Sequence, residues 1–204
     1  MISSASKKPK LNPSMLYKVF LVTLILGLVV IRRHYQRGYR RGEVVKAPRA
    51  LESWVAAMVS AALLLPISIY LFSDWLDTLD IPLPPWTRWL GFGVGISGLA
   101  LLWWCHDVLG ANWQPDIAIR REHNLIMHGP YRLIRHPMYL SFIFLGSGMA
   151  LTAANWAMAF FTCLPPVIAY LRRSKQEEEL LEETFGEAYR AYKERTGSLF
   201  PKLK

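Results

Sequence analysis

The chain has 204 residues, 52% of them hydrophobic, with a mean hydropathy of +0.19 and a formal net charge of +9. That length fits one ordinary domain, and so large an apolar share with a positive hydropathy speaks against a soluble protein. The basic residues lie beside apolar runs, which points to a membrane surface rather than to nucleic acid.

Residues 1–14 are polar, with lysines and two prolines, and read as a mobile tail ahead of a single domain over 15–204. The first apolar run spans about 16–31. Lys7, Lys8 and Lys10 precede it as in a signal peptide, but no small-residue cleavage site follows and the run ends in Arg32 and Arg33. A retained membrane helix is expected, with Lys18 snorkelling. The next stretch carries Arg32, Arg33, Arg37, Arg40, Arg41, Lys46 and Arg49 against Glu43. This basic excess places the loop in the cytoplasm and the N-terminus on the opposite side.

A second span is expected over about 51–72, with a kink at Pro66. Asp74, Asp77 and Asp80, followed by three prolines, read as a loop on the far side, flanked by interfacial Trp75, Trp86 and Trp89. The third span covers about 90–105. In it Gly91 and Gly95 form a small-xxx-small pair suited to close helix packing. A cytoplasmic connector, 106–137, follows; a loop this long with such a mix of aromatics and histidines is functional rather than disordered. The apolar tract after it is too long for one helix and divides into short spans at about 138–152 and 156–171, turning at Thr152–Asn155. Pro165 and Pro166 should distort the second of these, so a cavity wall is expected there. The two cysteines, Cys105 and Cys163, lie in or beside apolar runs without a Cys-x-x-Cys pattern and read as packing thiols.

The fold class expected is therefore an all-α integral membrane protein of about five transmembrane helices, capped by the connector and a C-terminal amphipathic helix, 172–195. In that helix Leu181, Phe185, Tyr189 and Tyr192 mark one face, and Gly186 marks a weak point. Arg173 and Glu177, four apart, share a face. An exposed pair of this kind is worth only about 0–1 kcal/mol, but a charge at the end of an apolar helix, at head-group depth, tends to be functional.

Chemistry-bearing residues concentrate between His123 and Tyr139. Pro130 and Pro137 turn the backbone there. His123, His128 and His136 are spaced by five and eight, which is no metal-ligand pattern, and no metal is expected. No phosphate loop and no nucleophile elbow occurs. The residues alone describe a polar, aromatic, cationic site at a membrane surface, suited to an amphipathic or lipid-like substrate. They do not name the reaction.

The stretch Gly129-Pro-Tyr-Arg-Leu-Ile-Arg-His-Pro-Met-Tyr139, with Glu177-Glu-Glu-Leu-Leu-Glu-Glu-Thr-Phe-Gly-Glu-Ala-Tyr-Arg-Ala-Tyr192 about forty residues later, resembles the isoprenylcysteine carboxyl methyltransferases, most closely their short prokaryotic members. The resemblance covers residues 50–204 in layout and 109–204 in motif. It implies a membrane enzyme that uses S-adenosyl-L-methionine, bound between the connector and the C-terminal helix. Carried over by motif, the cofactor-binding residues are His123, Asn124, Leu125, Ile126, Tyr131, His136, Pro137, Met138, Tyr139 and Glu177. Arg173 matches the family's substrate-contacting arginine and would clamp the acceptor's carboxylate. His128 matches no motif and is a loop residue. The chain departs from many eukaryotic members at Leu140-Ser141, which leaves the acceptor open, and in its shorter connector before His123, which leaves the family's upstream cofactor contact unassigned. The partners implied are the lipid bilayer and a lipophilic carboxylate such as a prenylated cysteine. A phospholipid or other amine N-methyltransferase and a non-catalytic membrane binding module are the alternatives.

Overall fold

The computed structural model describes residues 13–38, 44–46, 64–113, 119–120 and 124–202. The first apolar run lies inside α1 (Pro13–Gly38). Of the second expected span only its end is described, a helix over 64–72, here α2; the remainder of that span lies outside the described residues. The third is longer than expected, α3 (Pro85–Leu109), because Pro85 occupies the first turn, where its missing N–H costs nothing. The tract after the connector forms the hairpin expected, α4 (Pro137–Ala153) and α5 (Trp156–Phe185). A short α6 (Glu187–Arg195) follows. One contact has no counterpart in the sequence reading: strands β1 (Val44–Lys46) and β2 (Ile119–Arg120) pair antiparallel, joining the basic loop to the connector.

By length and apolar composition, α1 over Ser14–Gln36 and α3 can each cross a membrane, and α4 is a shorter apolar helix. The outer face of α1 exposes Met15, Val19, Val22, Leu26, Val29 and Val30, an apolar strip suited to lipid. Its inner face puts Leu21, Leu24 and Ile31 into a core shared with Ile67, Tyr70, Leu99, Leu102, Leu145, Met149 and Met158.

Helices α3 and α4 approach at backbone distance. A methyl group added at Gly91 would stand 2.6 Å from the nitrogen of Thr152, and one at Gly98 would stand 2.7 Å from the nitrogen of Leu145. The glycine pair read from the sequence thus extends to a stripe: Gly91 and Gly95 approach Gly148, and Gly98 approaches Ser141 and Leu145.

The α4–α5 turn is pinned by Asn155, which is fully buried. Its Nδ2 donates to the carbonyl of Leu76 at 2.7 Å and to Oδ1 of Asp80 at 2.8 Å, while its Oδ1 caps α5 by accepting from the nitrogens of Ala157 and Met158. Arg88 and the hydroxyl of Tyr70 each donate to the carbonyl of Ala153 at 3.0 Å, satisfying the end of α4. Two expectations change in α5. Pro165 and Pro166 lie inside a helix that runs through them, and their neighbours Leu164, Val167 and Ile168 are exposed, so this face looks outward and not into a cavity. The helix expected over 172–195 is the end of α5 plus a separate α6, because Gly186 adopts φ +55°, a conformation that stops a helix.

Candidate active site

Gly129 opens the site. Its φ is +60°, and a methyl group there would lie 2.7 Å from Cγ2 of Val108, so the turn from the connector into the one-turn helix Gly129–Arg132 needs glycine. That turn buries Tyr131, whose carbonyl accepts from the hydroxyl of Tyr192 at 2.7 Å. The next residues are held by the C-terminal segment. The nitrogens of Arg135 and His136 donate to the carbonyls of Gly197 and Ser198, and the nitrogen of Gly197 donates to the carbonyl of Leu133.

This strap aims Arg135 and His136 at α5. Nε of Arg135 donates to Oε1 of Glu178 at 2.8 Å, Nε2 of His136 lies 3.1 Å from the same oxygen, and Nζ of Lys193 lies 3.0 Å from Oε2. Nδ1 of His136 faces Oε2 of Glu177 at 3.6 Å. Glu177 also accepts from the hydroxyl of Tyr139 at 2.6 Å, and Nε of Arg173 is 3.8 Å from it. The rings of His136, Tyr139 and Tyr170 form a triangle with centroids 5.8 Å apart. Burial alone would depress the imidazole of His136, but hydrogen bonds and charge from Glu177 and Glu178 outweigh it and raise its pKa. Burial likewise opposes ionisation of Glu178, yet His136, Arg135 and Lys193 together hold its carboxyl well below the usual range.

Beside this cluster lies a cleft lined by Asn124, Leu125, Ile126 and Tyr131 from the connector side and by Leu181, Tyr189 and Tyr192 from the C-terminal side. Its volume is about 100 Å³. A pocket for a whole drug-sized ligand takes about 300–1,000 Å³, so this cleft fits one ring system of a cofactor, with the rest extending outside it. The hydroxyl of Tyr189 is buried here and finds no hydrogen-bond partner among the described residues. A buried hydroxyl left unpaired costs about 1–3 kcal/mol, and a polar ligand atom would satisfy it. Burial pushes the hydroxyl of Tyr192 up to about 12, so it remains a donor at neutral pH. An aromatic, partly polar cleft with one unsatisfied hydroxyl fits the adenosine part of the implied cofactor.

The residues singled out in the sequence fall into three groups. Asn124, Leu125, Ile126 and Tyr131 line the cleft. His136, Tyr139, Arg173 and Glu177 form the adjoining polar cluster. Pro137 and Met138 begin α4 and are not among the residues lining the cleft. His123 lies outside the described residues, and His128 is exposed. Sequence reading missed Glu178, whose carboxylate meets Arg135, Lys193 and the imidazole of His136, and Tyr170, whose hydroxyl is 2.7 Å from Oγ of Ser198. The signal for Glu178 was present: Leu181 and Phe185 lie three and seven residues on, so it belongs to the apolar face and not to the solvated one.

Residues 89–183, which run from α3 through the connector and α4 into the acidic end of α5, match the profile of the isoprenylcysteine carboxyl methyltransferase (ICMT) family. Over that segment the chain is similar to the ICMT family. It is similar to protein-S-isoprenylcysteine O-methyltransferase A of Arabidopsis thaliana, 32% identical over 85 residues, 42% of this chain and 43% of that protein. It is also similar to methanethiol S-methyltransferase of Pseudomonas deceptionensis, 35% identical over 80 residues, 36% of this chain and 27% of that protein. In both cases the match spans less than half the relative's length. The fold is similar to that of the eukaryotic intramembrane Ras methyltransferase ICMT, with a TM-score of 0.58 at 20% identity over 95% of this chain and 69% of that structure. The ICMT resemblance expected from the motifs is thereby met over residues 89–183, and the fold is shared with a solved intramembrane methyltransferase.

Proposed function

We propose that this chain transfers a methyl group from S-adenosyl-L-methionine to the carboxylate of a lipophilic acceptor, as in isoprenylcysteine carboxyl methylation. The observation that carries the reading is the shared cleft: connector residues Asn124–Ile126 and Tyr131 form one wall, and Leu181, Tyr189 and Tyr192 the other, at the edge of the segment that matches the family. When bound, the cofactor would supply an electrophilic methyl group on a sulfonium. His123, Asn124, Leu125, Ile126 and Tyr131 would hold its ring system, with the hydroxyl of Tyr189 meeting a polar atom. Glu177, oriented by Tyr139 and His136, would accept from its hydroxyl or ammonium groups, and Pro137 and Met138 would fix the start of α4 on which this depends.

A carboxylate is already ionised near neutral pH. Its oxygen forms the new O–C bond as the S–C bond breaks, the electron pair stays on sulfur, and no proton moves. The protein's work is to align acceptor and methyl and to exclude water, which can lower a barrier by about 7–11 kcal/mol. Arg173 would orient the carboxylate with its fork of donors. The membrane reading completes this: one domain over 15–204 crosses the bilayer about five times, with site and C-terminus cytoplasmic and the N-terminus opposite. The apolar lengths of α1 and α3 and the basic loop after α1 support it.

The similarity to a methanethiol S-methyltransferase favours a second reading, methylation of a small thiol. That reaction needs a group to take the thiol proton, and the site's imidazole is already engaged by Glu177 and Glu178. Purified full-length protein given methyl-labelled S-adenosylmethionine and a farnesylated cysteine analogue should yield base-labile label, the mark of an ester. Base-stable label in phosphatidylethanolamine, or volatile label from methanethiol, would replace the carboxylate reading with an amine or a thiol acceptor. Failure of the protein to bind the cofactor in calorimetry would remove all three.

A further inference from the structure

The basic residues after the first apolar run serve, in the simplest view, only to orient the protein in the bilayer. Arg33 fits that role, being exposed. Arg32 does not. It is turned inward and half-buried, with its guanidinium over the ring of Trp113 at 5.4 Å. Trp113 is buried and faces His106, ring centroids 4.9 Å apart, and His106 in turn faces Tyr35 at 4.9 Å. The wall is therefore Tyr35, His106 and Trp113, with a cation on it.

Two features of this wall call for a ligand. His106 is fully buried; its Nδ1 is 2.8 Å from the carbonyl of Leu102, and its Nε2 is buried with no hydrogen-bond partner among the described residues. Arg32 pairs with no carboxylate among the described residues, and it lies within electrostatic reach of Arg173. Arg173 has Glu177 at 3.8 Å, so the uncompensated cation beside this wall is Arg32, and at the end of an apolar helix it calls for an anion. With Nδ1–H committed to a carbonyl, Nε2 of His106 is an acceptor. An anion carrying an N–H nearby, such as an acylated amino acid, would satisfy both.

We propose that Arg32, over Trp113 and beside His106, is a second anchor for the acceptor's carboxylate, complementing Arg173. This rests on the carboxylate-methylation reading and adds to it a residue from α1, outside the family-matched residues 89–183. A residue outside the family-matched segment would thus decide whether an acidic acceptor is taken.

The test compares N-acetyl-S-farnesylcysteine with its carboxamide, binding each by calorimetry to full-length protein in lipid nanodiscs, with S-adenosylhomocysteine as a separate probe. Wild type should prefer the acid. Arg32→Gln should lower acid affinity about 10- to 100-fold, the range for losing a charge-assisted pair, with carboxamide and S-adenosylhomocysteine affinities unchanged. Arg32→Lys, which keeps the charge without the fork, should lose part of the preference, and it carries the test if Arg32→Gln does not fold. An acid preference that survives in the variants overturns this inference and leaves the methylation reading intact. Loss of S-adenosylhomocysteine affinity in a monodisperse variant also overturns it, because the guanidinium would then serve the cofactor. A wild type that does not distinguish acid from carboxamide sinks the carboxylate reading itself.

Discussion

Nε2 of His136 and Oε1 of Glu178 lie 3.1 Å apart and join the connector to the end of α5. The other ring nitrogen faces Glu177, so both nitrogens look at carboxylates, and only the imidazolium can donate to both. The His136 pKa is raised accordingly. A raised folded-state value adds stability that is fully present below the unfolded histidine's pKa, about 6.5, and is lost as pH rises through the folded value. The protein's melting temperature should therefore fall as pH rises above about 6.5. His136→Gln should flatten that dependence. A wild-type melting temperature unchanged from pH 6.5 to 9 would show the ring to be neutral throughout.

Tyr189→Phe removes a buried hydroxyl that has no partner among the described residues. Without ligand the variant should be as stable as the wild type or more stable by about 1 kcal/mol. Its affinity for S-adenosylhomocysteine should drop about 10-fold. Thermal unfolding with and without ligand separates the two effects; a loss of stability in the ligand-free protein would mean the hydroxyl is already satisfied.

Arg173→Ala should abolish methyl transfer while cofactor affinity stays within about 3-fold, because the acceptor's carboxylate loses its fork of donors. Equilibrium binding alongside a turnover assay checks this. Collapse of cofactor binding would reassign Arg173 to holding Glu177, 3.8 Å away.

Gly98→Ala puts a methyl group 2.7 Å from the nitrogen of Leu145 and 2.8 Å from the carbonyl oxygen of Ser141, both backbone atoms that cannot swing aside. Overpacking of this kind costs about 1–3 kcal/mol. Gly93→Ala, with nothing within 4 Å, is the matched control and should be neutral or slightly stabilising. Equal melting temperatures for the two variants would show that the α3–α4 contact yields.

The apolar lengths, the turn at Thr152–Asn155 and the glycine pair in α3 were legible because each depends on local chemistry: hydropathy, capping and the absence of a side chain. The motif residues 124–126, 131, 136, 139, 173 and 177 were legible through resemblance, and they gather in a cleft and the polar cluster beside it. What escaped notice depends on tertiary distance. Glu178 reads as one acid in a solvated run until Arg135, His136 and Lys193, from two other segments, converge on it. The outward face at Pro165 and Pro166 could not be read from proline chemistry, which predicts broken hydrogen bonds and not which neighbour covers them. Arg32 was indistinguishable from Arg33 by charge count, and only the rotation of α1 separates them.

The hairpin of α4 and α5 works as a calliper. Its hinge is the knot at Asn155, and its tips carry His136 and Glu178, which must meet within about 3 Å to form their charged hydrogen bond. Inserting a single residue into either arm would turn everything beyond it by about 100° and move it about 1.5 Å along the axis, swinging one tip past the other. Substitutions on the outward faces of the arms leave this reach unchanged, whereas Gly146 and Gly148, packed against backbone, leave no room for a side chain. Length is what the hairpin must keep everywhere, and identity only where the arms touch.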